Sequence, residues 1–174
     1  MTFITLLLKI HLRVWNWLDG QINFNKLGRL WRFLYWKRKL KQIGENVVFF
    51  KGVIINDPYN VIIGNNTGVG NYVVMWGAGG IEIGNDVLIA AHSVLTADGH
   101  DTNAELFRKS SYLKKIKIGN NVWIGANVCV LPGVEIGDNC IIAAGSVVTK
   151  SILHNSIAAG VPAVVLKKRT STDV

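Results

Sequence analysis

The sequence predicts an all-β solenoid, a coil of short parallel strands, and three observations predict it. The first is a six-residue period: counting from Ile118, every sixth residue is branched aliphatic, through Ile124, Val130, Ile136, Ile142 and Val148. The second is a companion column, four residues beyond each of the first five, of small or β-branched residues: Val122, Val128, Val134, Cys140 and Ser146. The third is a Gly or Ala directly after the aliphatic, at Gly119, Gly125, Gly137 and Ala143. A helix repeats its apolar positions at about 3.6 residues and a half-buried strand at 2. A period of six needs a chain that lays down one short strand, turns a corner and repeats. Each coil then buries one narrow aliphatic column and needs neighbours and terminal caps to exist at all.

The chain opens on two helical segments. Residues 3–18, FITLLLKIHLRVWNWL, are mostly apolar, with Lys9 and Arg13 four apart on one helical face. A helix of that length reaches about 24 Å, short of the ~30 Å hydrocarbon core of a bilayer. A signal peptide fits poorly, because charge breaks the apolar run and no small-residue cleavage site follows. Asp19-Gly20 supplies a turn, and residues 26–41, KLGRLWRFLYWKRKLK, form a second helix with Leu27, Leu30, Trp31 and Leu34 at helical spacing. Residues 1–42 carry nine Lys or Arg against Asp19 alone, whereas the rest of the chain balances ten basic with ten acidic side chains. The whole net charge of +8 therefore sits in the N-terminal quarter, together with four of the six tryptophans. An apolar face, a basic rim and interfacial aromatics describe a helix lying on an anionic membrane surface. The alternative is that the helices cap the first coil or pack between subunits. Nucleic acid is not an expected partner, since no base-reading motif accompanies the charge.

Residues 43–168 read as the solenoid. Ile43, Phe49 and Ile55 are hexad-spaced with Val47 and Val53 at the small positions, and Asp57-Pro58-Tyr59-Asn60 breaks the phase. Ile63, Val69 and Met75 resume it with Thr67 and Val73. Trp76–Gly80 slips it again before Ile83, Ile89 and Leu95, with Val87 and Ser93. From Thr96 to Lys117 the pattern stops and the chain turns polar, as expected of a loop pushed out of one corner. Residues 169–174 read as a polar tail. At 174 residues the chain is one domain with a small appendage, and its hydrophobic content of 49% is ample for a core. Cys129 and Cys140, eleven apart within the repeats, show no metal-like or disulfide pattern.

The hexads resemble those of the hexapeptide-repeat acyltransferases. The tract from about Ile81 to Lys168 is similar to their branch of galactoside, maltose and xenobiotic O-acetyltransferases. The resemblance implies a left-handed parallel β-helix, whose hand general chain chirality would not supply. It also implies a homotrimer and acetyl-CoA as donor substrate, with no metal. The segment TADGHDTNAE after VLIAAHSVL matches the loop of the catalytic histidine, so His100 is expected as general base. A hydroxyl attacks a thioester well only while losing its proton, and a neutral imidazole can take it. Asp98 is expected to orient that imidazole, with Asp101 as the other candidate and a turn-forming role as the alternative for both. His100 is followed by Asp101 where many relatives have proline. The family binds coenzyme A in a groove between subunits, and the matching donor residues are Trp123, Ala126, Ala144, Thr149, Lys150 and Lys167. Val164 stands where relatives commonly have Arg or Lys, so part of the nucleotide grip is either missing or shifted to Lys168 or Arg169. On the acceptor side Asn71 matches an acceptor Asn, whereas Ala78 replaces an acceptor Asp.

These matches lead to the expectation of acetyl-CoA-dependent O-acetylation of a sugar hydroxyl. The basic arm points to a cell-surface polysaccharide or its lipid-linked precursor, handled by a cytoplasmic protein lying peripherally on the inner face of the cytoplasmic membrane. The alternatives are a small soluble acceptor, an amino sugar or xenobiotic, and a γ-carbonic-anhydrase-like zinc protein. The last needs three histidines meeting between subunits, and only His92 and His100 lie in the core of the repeats.

Overall fold

The computed structural model describes residues 25–170, with side chains from residue 28 onward. The first expected helix, its Asp19-Gly20 turn and the last residues of the tail lie outside the described residues. The remainder is a left-handed parallel β-helix of about six coils, entered through one α-helix, α1 (Asn25–Lys37). Three parallel sheets form the sides of a triangular prism. The first face stacks Gln42–Ile43, Val61–Ile63, Ile81–Ile83, Ile116–Ile118 and Glu135–Ile136. The second stacks Val48–Phe49, Gly68–Val69, Leu88–Ile89, Trp123–Ile124, Ile141–Ile142 and Ser156–Gly160. The third stacks Ile54–Asn56, Val74–Trp76, Val94–Thr96, Cys129–Val130 and Val147–Val148.

Both expected columns point inward. Phe49, Val69, Met75, Leu95, Ile124, Val130, Ile142 and Val148 are all wholly buried, and the companion residues Val73, Val87, Ser93, Cys140 and Ser146 sit beside them. Hexad spacing works because each face holds an inward aliphatic and each corner one inward small residue; three first-face strands add a second inward aliphatic, at Val61, Ile81 and Ile116. The early coils are longer: Ile43 pairs with Ile63 and Ile63 with Ile83, a coil of twenty residues, against eighteen from Ile118 to Ile136. The surplus is taken up where the third face returns to the first, at 57–60 and 77–80, which is where the sequence slips phase.

Corners impose their own chemistry. Between the first and second faces, the side-chain oxygens of Asn65, Asn85, Asn120 and Asp138 accept from the backbone N–H of Glu45, Asn65, Asn85 and Asn120 at 2.6–2.9 Å. One polar ladder thus satisfies a donor on every coil it crosses. Glycines are needed beside it: a Cβ on Gly64 or Gly84 would lie 2.6 Å from the backbone of the next coil. The corner residues also take left-handed φ, as at Asn46, Asn66, Asp86, Asn121 and Asn139, a conformation that costs most L-residues about 1–2 kcal/mol and Asn or Asp less.

Two expectations need correction. The interruption is shorter than 96–117, because Thr96 ends a third-face strand and Ile116–Ile118 is already a first-face strand paired with Ile81–Ile83. Ile116 and Ile118 both point inward, leaving Lys117 outward, where it pairs with Glu135 at 2.8 Å. That carboxylate raises the Lys117 ammonium above its ordinary value. The second helix stops at Lys37 instead of reaching 41: Lys39 and Leu40 N–H both turn back to the Trp36 carbonyl, and Leu40 is buried.

α1 caps the first coil. Trp36 is buried against Phe49 with ring centroids 6.1 Å apart, and Arg32 Nε donates to the Phe49 carbonyl at 2.8 Å. Arg29 lies over the Phe50 ring at 5.2 Å. The expected stripe beyond Leu27 therefore faces away from the solenoid: Leu30 and Trp31 are about half exposed and Leu34 more than a third, as is the neighbouring Tyr35. At the other end, Ile152 bridges to Ile136, Ser156–Gly160 completes the second face, and Ala163–Lys168 returns antiparallel along its outer edge.

Candidate active site

The polar insertion leaves the corner between the third and first faces as an antiparallel ribbon, Asp98–His100 against Ser111–Leu113. Gly99 permits the crossing, since a Cβ there would lie 2.7 Å from the Tyr112 hydroxyl. A 3-10 turn at Phe107–Lys109 closes the tip, and its Phe107 carbonyl accepts from Ser110 Oγ at 2.9 Å. The same carbonyl lies 2.6 Å from Nδ1 of the exposed His100. A carbonyl can only accept, so Nδ1 carries the hydrogen in the neutral ring and the Nε2 lone pair is left open. That arrangement can take a proton from a group at Nε2.

Asp98 has a different partner from the one expected. Its carboxylate accepts from the Thr96 hydroxyl at 2.8 Å at the base of the ribbon, and the Nδ1 partner of His100 is Phe107. A backbone carbonyl cannot be read from residue types, which is why sequence reasoning missed it. Asp101 N–H donates to the Ser110 carbonyl at 3.0 Å, a ribbon bond that a proline at this position would remove.

The other candidates fall on different edges of the prism. Thr149 and Lys150, both exposed, share the corner that extrudes the ribbon. Ala78 is there too, one coil before the ribbon, its carbonyl taking a bond from Asn60 Nδ2 at 3.2 Å. Asn71, Ala126 and Ala144 stand at the corner between the second and third faces. Backbone bonds from His92 to Asn71, Asn127 to Ala91 and Gly145 to Ala126, at 2.8–3.0 Å, tie that edge coil to coil. Trp123 projects from the second face, about half exposed. Lys167 lies on the returning strand opposite Ile157, and Val164 opposite Ala159. Lys168 is exposed, while Arg169 is anchored through its N–H to the Asn155 carbonyl at 2.9 Å. One chain thus puts His100 at the same corner as Thr149 and Lys150, two coils before them, and holds Asn71, Ala126 and Ala144 one face away, roughly 20 Å for a six-residue side.

An open groove of about 570 Å³ runs down the first face past Lys117, Glu135 and His154, and includes none of these residues. His92, His100 and His154 occupy three different corners, and among the described residues no group of three His, Cys, Asp or Glu could hold a metal. No described helix is long and apolar enough to cross a membrane.

Comparison with known proteins agrees with the fold. The bacterial transferase hexapeptide family (six repeats) matches residues 115–150, and the hexapeptide repeat of succinyl-transferase matches residues 60–97. Galactoside O-acetyltransferase of Escherichia coli (strain K12) is 39% identical over 138 residues, covering 79% of this chain and 68% of that protein. WcaF of the same organism, whose suggested role is acetyl transfer in colanic acid biosynthesis, is 34% identical over 143 residues, covering 82% and 78%. A solved galactoside acetyltransferase in complex with coenzyme A superposes with a TM-score of 0.81 at 32% identity, covering 92% of this chain and 80% of that one.

Proposed function

The chain belongs to the hexapeptide-repeat acetyltransferases, and we propose that it moves the acetyl group of acetyl-CoA onto a sugar hydroxyl. The observation that carries the reading is the His100 imidazole, held through Nδ1 by the Phe107 carbonyl at 2.6 Å with Nε2 open. In the reaction Nε2 removes the acceptor hydroxyl's proton as its oxygen attacks the thioester carbon. The carbon–sulfur bond then breaks, and the imidazolium returns its proton to the departing CoA thiolate. Asp98, through Thr96, steadies the ribbon that carries the base.

The donor lies along the corner of Ala126 and Ala144. Their small side chains let the pantetheine approach the backbone, Trp123 flanks it, and Thr149, Lys150 and Lys167 meet its phosphates. Asn71 contacts the acceptor on the same edge. Because these residues divide between two corners of one prism, the full set comes together where the ribbon of one subunit faces the alanine edge of the next. A homotrimer with three shared sites supplies that arrangement.

The outward stripe of α1 supports an acceptor at a membrane surface. Leu30, Trp31, Leu34 and Tyr35 stay exposed although the opposite side of the helix already caps the coil. Arg38, Lys39 and Lys41 follow, so apolar side chains and positive charge face the same solvent. The acceptor in this reading is a cell-surface polysaccharide or its lipid-linked precursor, and the enzyme is peripheral on the inner leaflet of the cytoplasmic membrane. The test pairs two assays. Thiol release from acetyl-CoA with glycoside acceptors should require an acceptor and leave an O-acetyl ester. Sedimentation with anionic vesicles should show binding at low salt that fades as salt rises. Thiol release without ester formation overturns the transfer. Indifference to anionic vesicles overturns the membrane location and leaves a small soluble acceptor as the reading.

A further inference from the structure

We propose that Tyr72 and His92 form the acceptor-selecting edge of the acetyl-transfer site, an inference that rests on the function proposed above. Ten described non-glycine residues have left-handed φ, and eight of them are Asn or Asp, whose short side chains tolerate it. Tyr72 (φ 56°) and His92 (φ 62°) are the exceptions, and they occupy equivalent corner positions on successive coils. Bulky residues in this conformation are strained, and strain kept at an exposed surface marks a use beyond folding. The fold does not demand these residues, because Asn127 fills the same position one coil further on at φ 56°.

Their rings stack, with centroids 5.3 Å apart and planes 12° from parallel. The other face of Tyr72 lies over Gly52, where any Cβ would collide with the ring. With the Tyr72 faces covered by neighbouring coils, its edge is what meets solvent, and both side chains are exposed. Neither the Tyr72 hydroxyl nor a His92 ring nitrogen has a hydrogen-bond partner among the described residues. Two polar edges one coil apart suit a polyhydroxylated ring, each offering a donor or acceptor to a different hydroxyl.

Position along the edge assigns them to the acceptor. Asn71 precedes Tyr72 on the second coil, His92 is on the third, and Ala126 and Ala144 are on the fourth and fifth. A thioester laid along Ala144 and Ala126 ends at the level of His92. An acceptor held beside Asn71 then meets the acyl carbon there, with Tyr72 and His92 against its hydroxyls.

The test uses full-length protein and the p-nitrophenyl β-glycosides of galactose, glucose and N-acetylglucosamine, with kinetics taken on whichever the wild type acetylates fastest. Tyr72→Asn and His92→Asn install the residue type the corner prefers, so melting temperature should hold or rise. Acceptor KM should rise roughly tenfold in each, and severalfold in Tyr72→Phe, which loses only the hydroxyl. The KM for acetyl-CoA should not move. Acceptor KM within twofold of wild type in both Asn variants overturns the proposal, as does an effect limited to subunit association. A wild type that acetylates no glycoside overturns the acetyl-transfer reading itself, an outcome distinct from active variants with unaltered KM.

Discussion

Replacing His100 with Asn separates the two jobs of the imidazole. The Asn amide nitrogen can stand near the Nδ1 position and still donate to the Phe107 carbonyl, now 2.6 Å from the ring. Nothing replaces Nε2. The retained bond lies at an exposed site and contributes on the order of 1 kcal/mol to ribbon order, so the fold should be unaffected. Loss of a general base typically lowers rate by about 10²–10⁴, which is roughly 2.7–5.4 kcal/mol of barrier. The base effect therefore exceeds the structural one severalfold, and kcat should fall with KM for acetyl-CoA nearly unchanged. Stopped-flow or steady-state thiol release with a glycoside acceptor measures both. His100→Ala, which loses the Phe107 bond as well, should be no more active than His100→Asn. If His100→Asn keeps more than a tenth of wild-type kcat, another group removes the proton and the tautomer argument is wrong.

Light scattering should give a particle close to three times the 19.2 kDa chain mass, and an active monomer would refute a site shared between subunits. Ile124→Ala should cost about 2–5 kcal/mol by cavity formation in a wholly buried column. Asn120→Ala, which orphans the exposed Asn85 N–H, should cost about 1 kcal/mol; denaturant melts that reverse this order would refute the account of what holds the coils. Burial pushes the Cys129 and Cys140 thiols above their ordinary pKa. Less thiolate is then present at neutral pH, and a thiol-specific chromophoric disulfide should react with both slowly until denaturant is added; fast native labelling of Cys140 would place it outside the core.

The core was legible because a six-residue coil writes its inside onto the sequence twice, as the aliphatic at each face and the small residue at each corner. Even the phase slips at 57–60 and 77–80 mapped to one corner. Short strands that break the hexad were not legible. Ile116 looked like part of a polar run because its partner Ile118 was counted alone, yet the three-residue strand turns both inward. The polar insertion that carries His100 was legible and the restraint on its imidazole was not, since the restraining atom is a backbone carbonyl brought back by a 3-10 turn. For α1, periodicity marked Leu30, Trp31 and Leu34 as one stripe, but that stripe faces solvent. The coil is capped by Trp36 and Leu40, which lie on the side of the segment that the charge pattern makes look polar.

The position of α1 constrains what a membrane-bound acceptor can be. The helix lies on the first coil, and the ribbon bearing His100 leaves after the third. Neighbouring strands are stacked about 4.8 Å apart and a helix is about 10 Å thick. With the stripe of α1 against the bilayer and the coil axis along its normal, His100 stands roughly 20–25 Å from the interface. A hydroxyl on the sugar attached directly to a lipid carrier would stay near the headgroups and fall short of Nε2. A hydroxyl several sugars out along the glycan would reach it. The docked enzyme should therefore acetylate a carrier bearing an oligosaccharide much faster than one bearing a single sugar, while a detergent-released form should lose that preference. Equal rates on both carriers in vesicles would mean that the helix does not set the standing height of the enzyme, and that its stripe serves subunit packing.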